Sequence, residues 1–335
     1  MILAKTKNKS FTKSENNSLP LVIVNPKSAS GSTALRWTRI ASDLAKNFGA
    51  FDVEFTQNAG HATEIAKAAA HKGRRFIVAC GGDGTINEVA NGILQSGEKE
   101  AELGILPSGT GGDFRRSLDV PNTAREAAKG LRNGQTKTID VGKVTFFNYH
   151  DQETSRYFLN ISSFGLSASI NERVKTNGSL LAAWLPGDTL RGKAKFAIST
   201  LREVFDSEFT TVRVRIDDAE EKLLNTINFC VANARYFGGG MKIAPDALLD
   251  DGFFDVVNIG DIKTAKIILN AFRLYNGSHL SLDEVKHKNA RRVEVRPANE
   301  KQIIQLETDG ELPGRLPAIY EIVPHALKVR VPKNT

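Results

Sequence analysis

The chain has 335 residues, 41% apolar and 25% charged, which is the composition of a soluble globular protein long enough for two domains. Its 45 basic and 38 acidic side chains leave a net charge of +7, which fits anionic ligands, an anionic membrane surface, or a solvated exterior without a particular partner. No apolar run reaches the roughly 20 residues that cross a bilayer, no signal-peptide core is present, Cys80 and Cys230 read as buried free thiols, and no Cys/His cluster offers a zinc site.

The first 18 residues are rich in Lys, Asn and Ser and predict a disordered tail. From Pro20 to about Asp140, strand-like and helix-like segments alternate. "LVIVN" reads as a strand, followed by Trp37, Ile40, Leu44 and Phe48 at helical spacing. "FDVEFT" alternates like a strand, and "HATEIAKAAAHKG" is a helix with a glycine stop. "RFIVAC" is a buried strand, and Ile86, Val89, Ala90, Ile93 and Leu94 then mark an amphipathic helix. "LGILP" and "NTAREAAKGLRNG" complete the series as strand and helix. This alternation predicts a mostly parallel sheet covered on both faces. Beyond Asp140–Lys143 the pattern turns to short alternating strands, with helices near Leu190–Phe205 and Ile262–Leu274, as in an antiparallel β domain.

Three loops fall at the carboxyl ends of the first domain's strands: "NPKSASGS" (25–32), "GGDGT" (81–85) and "PSGTGGDFRR" (107–116). Ligands of open α/β sheets bind at such ends, and bare backbone amides before a helix attract anions. Each loop alone could be a tight turn; three in successive units favour a shared phosphate site. There is no GxxxxGK[ST] and no GxGxxG with a following acid, so neither a P-loop nor a Rossmann dinucleotide site is indicated.

"GGDGTINEVANG" resembles the nucleotide-binding motif of the diacylglycerol kinase catalytic domain family, which includes soluble bacterial lipid kinases, sphingosine kinases and ceramide kinases. "VNPKSASG", "LPSGTGGDFRRSL", "IDVGKV", "FLNISSFGLSASI", "APDALLDDGFFDVV" and "LETDGE" are similar to its other signatures, in order, from about residue 20 to the C-terminus. The resemblance implies an N-terminal α/β domain like those of NAD kinases and phosphofructokinases, a C-terminal antiparallel β-sandwich, and an active site in the cleft between them. The implied domains are 19–142 with about 323–335, and 143–322. The implied reaction is transfer of the γ-phosphoryl group of ATP, with Mg²⁺, to the hydroxyl of a lipid alcohol such as diacylglycerol or a sphingoid base. The protein would then be cytoplasmic and peripheral to the inner face of the membrane, with transient membrane contact, no nucleic-acid partner, and room for a homodimer.

The resemblance also assigns roles. Asn25, Ser28, Gly81, Gly82, Gly84, Gly109 and Thr110 would contact the nucleotide, with Thr56 near the adenine. Thr85 would donate to a phosphate or cap the helix. Asp83 would anchor magnesium, joined by Asp113 and Asp140, although Asp113 also reads as a helix cap. Asp309 would be the general base and Glu311 its support; from the residues alone, "DG" reads equally as a hairpin turn. Asp251 and the carbonyls of Leu248 and Phe253 would form a structural magnesium site, unless that loop holds no metal. The chain departs from the family pattern at Gly112, where Asn is usual, and at Arg115-Arg116, where Ala-Arg is usual. "GSLLAAWLPGD" (178–188), followed by basic residues, reads either as a membrane-contact segment or as a core segment. Two other functions remain open: phosphorylation of a soluble acceptor such as NAD, and nucleotide binding without turnover.

Overall fold

The computed structural model describes residues 19–108, 112–169 and 209–333. The expected tail (1–18), the helix near 190–205 and the 178–188 segment lie outside the described residues.

Strands β1 (Leu21–Val24), β2 (Asp52–Phe55), β3 (Phe76–Gly81) and β4 (Glu102–Pro107) pair in parallel in the order β4-β3-β1-β2. Every residue of β1 and β4 is buried, as expected of strands covered on both faces. Helices α1 (Ser32–Asn47), α2 (His61–His71) and α3 (Asp83–Ser96) connect them; α4 (Asp113–Ser117) and α5 (Ala124–Asn133) follow β4. In α5, Ala127, Ala128 and Leu131 are buried, and the Thr123 hydroxyl caps the start by accepting the Glu126 N–H at 3.3 Å.

Strand β5 (Gln135–Phe147) runs unbroken through the position where the sequence pattern changes. It pairs antiparallel with β17 (Glu311–Val331), from Phe147↔Arg315 to Gln135↔Val331, with two irregularities on the way. At its far end β17 also pairs in parallel with β4, placing Lys328 beside Glu102. Leu327, Val329 and Val331 thereby join the core of the first domain. Gly142 permits close packing in this ribbon: a Cβ there would fall 2.2 Å from the Phe158 ring.

The second domain comprises β6 (Glu153–Phe158), β7 (Ile161–Gly165), β8 (Thr210–Ile216), β9 (Lys222–Thr226), β10 (Asn228–Ala232), the short hairpin β11 (Tyr236–Phe237) and β12 (Met241–Lys242), β13 (Phe254–Ile259), β14 (Val285–Ala290), β15 (Arg292–Pro297) and β16 (Gln305–Thr308). One row runs β14-β13-β10-β7-β16-β17, and the other β6-β5-β17-β15-β8-β9. Because both rows contain β17, they fold over a common core that includes Phe158, Phe164, Phe229, Phe254 and Tyr320. This is the expected β-sandwich beside an α/β domain. The helix expected near 262–274 is two short ones, α6 (Thr264–Asn270) and α7 (Arg273–Asn276). Among the described residues, no helix is long and apolar enough to cross a membrane.

Phe158 is fully buried, stacked on Phe254 at 5.6 Å and edge-on to Tyr320 at 6.3 Å. Phe158→Ala should lower the unfolding free energy by about 3–5 kcal/mol, measured by urea denaturation.

Candidate active site

The glycine loop sits where β3 gives way to α3. Gly81 ends the strand, and a Cβ there would lie 2.3 Å from the Thr85 hydroxyl oxygen, so no side chain fits without displacing Thr85. Around Gly84 the corresponding space is open, and Gly82 has only the Ser28 hydroxyl nearby, at 3.8 Å. No side chain caps α3, which leaves its first-turn amides for another acceptor. The Asn25 side chain donates to the Thr85 hydroxyl at 3.1 Å, tying the first loop to the second. Thr85 is thus a bridge between loops rather than the cap of α3. Ser108 N–H donates to the Gly81 carbonyl at 3.2 Å, which brings in the third loop. Gly109 and Thr110 lie outside the described residues. Thr56 is buried at the end of β2, its N–H bonded to the Val24 carbonyl.

Asp83 accepts three backbone N–H groups, from Gly112 at 2.8 Å, Asp113 at 3.1 Å and Phe114 at 3.3 Å. Its charge therefore caps α4 from outside that helix. Asp113, itself the first residue of α4, pairs with Arg116 and accepts the Gly239 N–H at 2.8 Å. That last bond crosses to the β11–β12 turn of the second domain. Burial, and then the neighbouring Asp83 charge, raise the Asp113 carboxyl above its ordinary range. Gly112 has φ +115°, and a Cβ there would meet the Arg115 side chain at 2.5 Å. The departures at 112 and 115 are therefore one packing arrangement: the arginine occupies the space beside a backbone that favours glycine.

The "DG" turn approaches from the other domain. Asp309 (φ +47°) and Gly310 (φ +85°) form the two-residue connection between β16 and β17, and both have the positive φ of a type I′ hairpin. The Asp309 carboxylate accepts the N–H groups of Leu159 (2.8 Å), Asn160 (3.0 Å) and Ile161 (3.0 Å) from the β6–β7 turn. Its fourth donor is the Asn87 amide, at 2.7 Å. Asn87 lies one helical turn beyond Asp83 on α3, so the two motifs meet. Burial raises the Asp309 carboxyl, against the pull of the three amides. Glu311 is exposed opposite Thr308; the acid that accepts the Gly310 N–H is the buried Glu307, at 2.5 Å.

Asp140 is not brought together with Asp83 and Asp113. It is fully buried, and accepts the N–H groups of Gly252 and His325, each at 2.7 Å. It thus sits with the 248–253 loop and with the irregularity of β17 between Val323 and Leu327. Asp251 accepts the Phe253 N–H at 3.0 Å; burial, then the charges of Asp255 and Asp140, raise its carboxyl. Leu248 is half-exposed, and the Phe253 ring lies 4.7 Å from the Arg291 guanidinium. Among the described residues, no group of three or more His, Cys, Asp or Glu side chains is arranged to hold a metal ion.

Sequence reasoning missed Asn87, Asn91, Asn160 and Asn233. Asn87 and Asn91 are buried four residues apart on α3, and both donate to the Tyr157 carbonyl. Asn233 donates to the carbonyls of Asp140 and Leu159, beneath the cleft. The available signal was two asparagines at i, i+4 flanking the apolar face of an amphipathic helix.

Two family profiles match the chain: the diacylglycerol kinase catalytic domain over residues 20–144, and the YegS C-terminal NAD kinase β-sandwich-like domain over 161–331. A diacylglycerol kinase of Bacillus subtilis (strain 168) is 33% identical over 286 residues, 83% of this chain and 85% of that protein. A diacylglycerol kinase of Mycobacterium tuberculosis (strain H37Rv) is 28% identical over 314 residues, 93% and 94% of the two chains. The crystal structure of a candidate diacylglycerol kinase from Bacillus anthracis str. Sterne superposes with a TM-score of 0.71 at 25% identity, covering 94% of this chain and 97% of its own.

The Asp83 contacts set a measurable expectation without any ligand. Asp83→Asn replaces a two-oxygen acceptor of three amides by a single oxygen, and should lower the unfolding free energy by about 1–3 kcal/mol in urea titrations.

Proposed function

Since the chain belongs to the diacylglycerol kinase family, we propose that it transfers the γ-phosphoryl group of ATP to the hydroxyl of a lipid alcohol, with diacylglycerol as the first candidate. The observation that carries this reading is the 2.7 Å hydrogen bond between Asn87 and Asp309, which sets the turn of one domain against the glycine loop of the other. Phosphoryl transfer asks for positioning and charge neutralisation, and for a group to take the acceptor's proton.

In this reading the glycine-lined start of α3, with Asn25, Ser28 and Thr85, holds the nucleotide's phosphates. Gly109, Thr110 and Thr56 extend that site. Asp83 and Asp113 are the residues that would hold magnesium, which binds through one or two carboxylates and the substrate's phosphates. The two acids are set side by side, since Asp83 accepts the Asp113 N–H at 3.1 Å. An ion held there would supply neutralisation of charge on the transferring group. Asp140 and the 248–253 loop are reserved for structural roles, with Asp251 and the carbonyls of Leu248 and Phe253 as the set to test for a second ion.

Asp309 takes the hydroxyl proton. Two carboxylate oxygens offer about four acceptor positions, and all four are filled by protein donors in this geometry. Asn87 is the one side-chain donor among them, so the acceptor hydroxyl takes its place. Glu311 flanks the turn, and Glu307 fixes it. The four bonds also favour a second reading, in which Asp309 is only a clamp between the domains.

Purified protein with ATP–Mg²⁺ should phosphorylate diacylglycerol or a sphingoid base, and not NAD. Asp309→Asn should reduce kcat by about 10²–10⁴-fold with the KM for ATP unchanged. Lost thermal stability with kcat retained would select the clamp, and transfer to NAD alone would select the soluble acceptor. Because the base must be ionised and burial raises its pKa, kcat/KM should fall as pH drops through a value above the ordinary 3.8.

A further inference from the structure

The α6–α7 segment turns an apolar stripe outward. Leu269, Phe272 and Tyr275 are 73%, 63% and 56% exposed, with Ile268 at the margin. Ile268, Phe272 and Tyr275 follow i, i+4, i+7, and Ala271 and Phe272 keep helical backbone across the joint, so the stripe holds one face. Single exposed apolar residues are ordinary, whereas four adjoining ones mark an interaction surface.

The segment is anchored from beneath. Leu274, Leu280 and Leu282 pack against the buried group that contains Ile243, Ala244 and Ala247. His279 is buried and bonded to the Ile243 carbonyl at 3.0 Å. A Cβ at Gly277 would lie 2.8 Å from Pro245, so the turn after α7 is held close to its neighbour. The outward face is therefore built into the fold. Between Asp261 and Asp283 the segment carries Lys263, Lys266 and Arg273 and no acidic residue. Lys266 reaches Glu284 at 2.6 Å, and Arg273 bonds the Ser281 hydroxyl at 3.2 Å. The segment also adjoins the cleft: α7 packs on β12, and the β11–β12 turn holds Asp113 through Gly239.

We propose that this face docks on an anionic lipid surface, with Leu269, Phe272 and Tyr275 entering the headgroup region and Lys263 and Arg273 meeting lipid phosphates. The inference rests on the lipid-kinase reading and specifies where the enzyme meets the phase that contains its acceptor.

The test is flotation of the full chain with vesicles of phosphatidylcholine, with and without phosphatidylglycerol. The unaltered protein should float with the anionic vesicles only. Leu269→Ser/Phe272→Ser should lower the bound fraction at least about tenfold, and Lys263→Glu/Arg273→Glu should abolish the preference for anionic vesicles. Both variants should keep their turnover of a water-dispersed short-chain diacylglycerol, a measurement that reports on the kinase reading separately. Unchanged flotation of both variants would overturn the proposal. So would a dimer, seen by sedimentation velocity, that the Leu269→Ser/Phe272→Ser variant converts to monomers.

Discussion

The antiparallel pair β5–β17 belongs to both domains, and the cleft depends on it. At one end the pair lies in the sandwich, where Tyr320 of β17 is fully buried. At the other it extends the parallel sheet beside β4. The domains are therefore joined by two continuous strands and by the backbone hydrogen bonds between them. Where β17 breaks register, the buried Asp140 carboxylate of β5 accepts the N–H of His325 and also that of Gly252. A charge buried without partners would be costly, so those two amides stabilise both the acid and the bend.

The same device recurs around the cleft. A carboxylate on one segment gathers amides from another: Asp83 takes those of 112–114, Asp309 those of 159–161, and Asp113 that of Gly239. Backbone amides are fixed in direction by the strands and helices that carry them, so these bonds position loops more firmly than exposed ion pairs would. Cys80, adjacent to Gly81, has its thiol pushed up to about 12 by burial, against the pull of a hydrogen bond with Ser108. It is a small apolar packing residue beside the loop.

Much of this was legible in the residues. The strand–helix alternation gave the parallel sheet because helical and strand periodicities differ, and glycines at strand ends marked the loops. The unbroken β5 was not legible. "IDVGKV" contains an acid and a glycine, which ordinarily interrupt a strand, yet Asp140 is buried by partners 112 and 185 residues away and Gly142 accommodates the Phe158 ring. Spacing likewise sets Asp140 with Asp83 and Asp113, whereas its carboxylate bonds the Gly252 and His325 amides: spacing places a residue on an element but not among its distant neighbours. Asp309 was legible both as a hairpin turn and as a cleft carboxylate, and its geometry fits each description. The coupling of Gly112 with Arg115 needed three dimensions, because it depends on a side chain folding back over a left-handed backbone.

The course of β17 also bears on how the protein is made. Its last residues, Lys328–Val331, lie between β4 and β5, and Leu327, Val329 and Val331 complete the core of the amino-terminal domain. While the chain emerges from the ribosome, β4 has no neighbour on that side and its apolar "LGIL" remains an open sheet edge. The amino-terminal domain thus closes only after the second domain has been made, since its final strand follows that domain in the chain. Folding in the usual vectorial order, amino-terminal domain first, is closed to this topology.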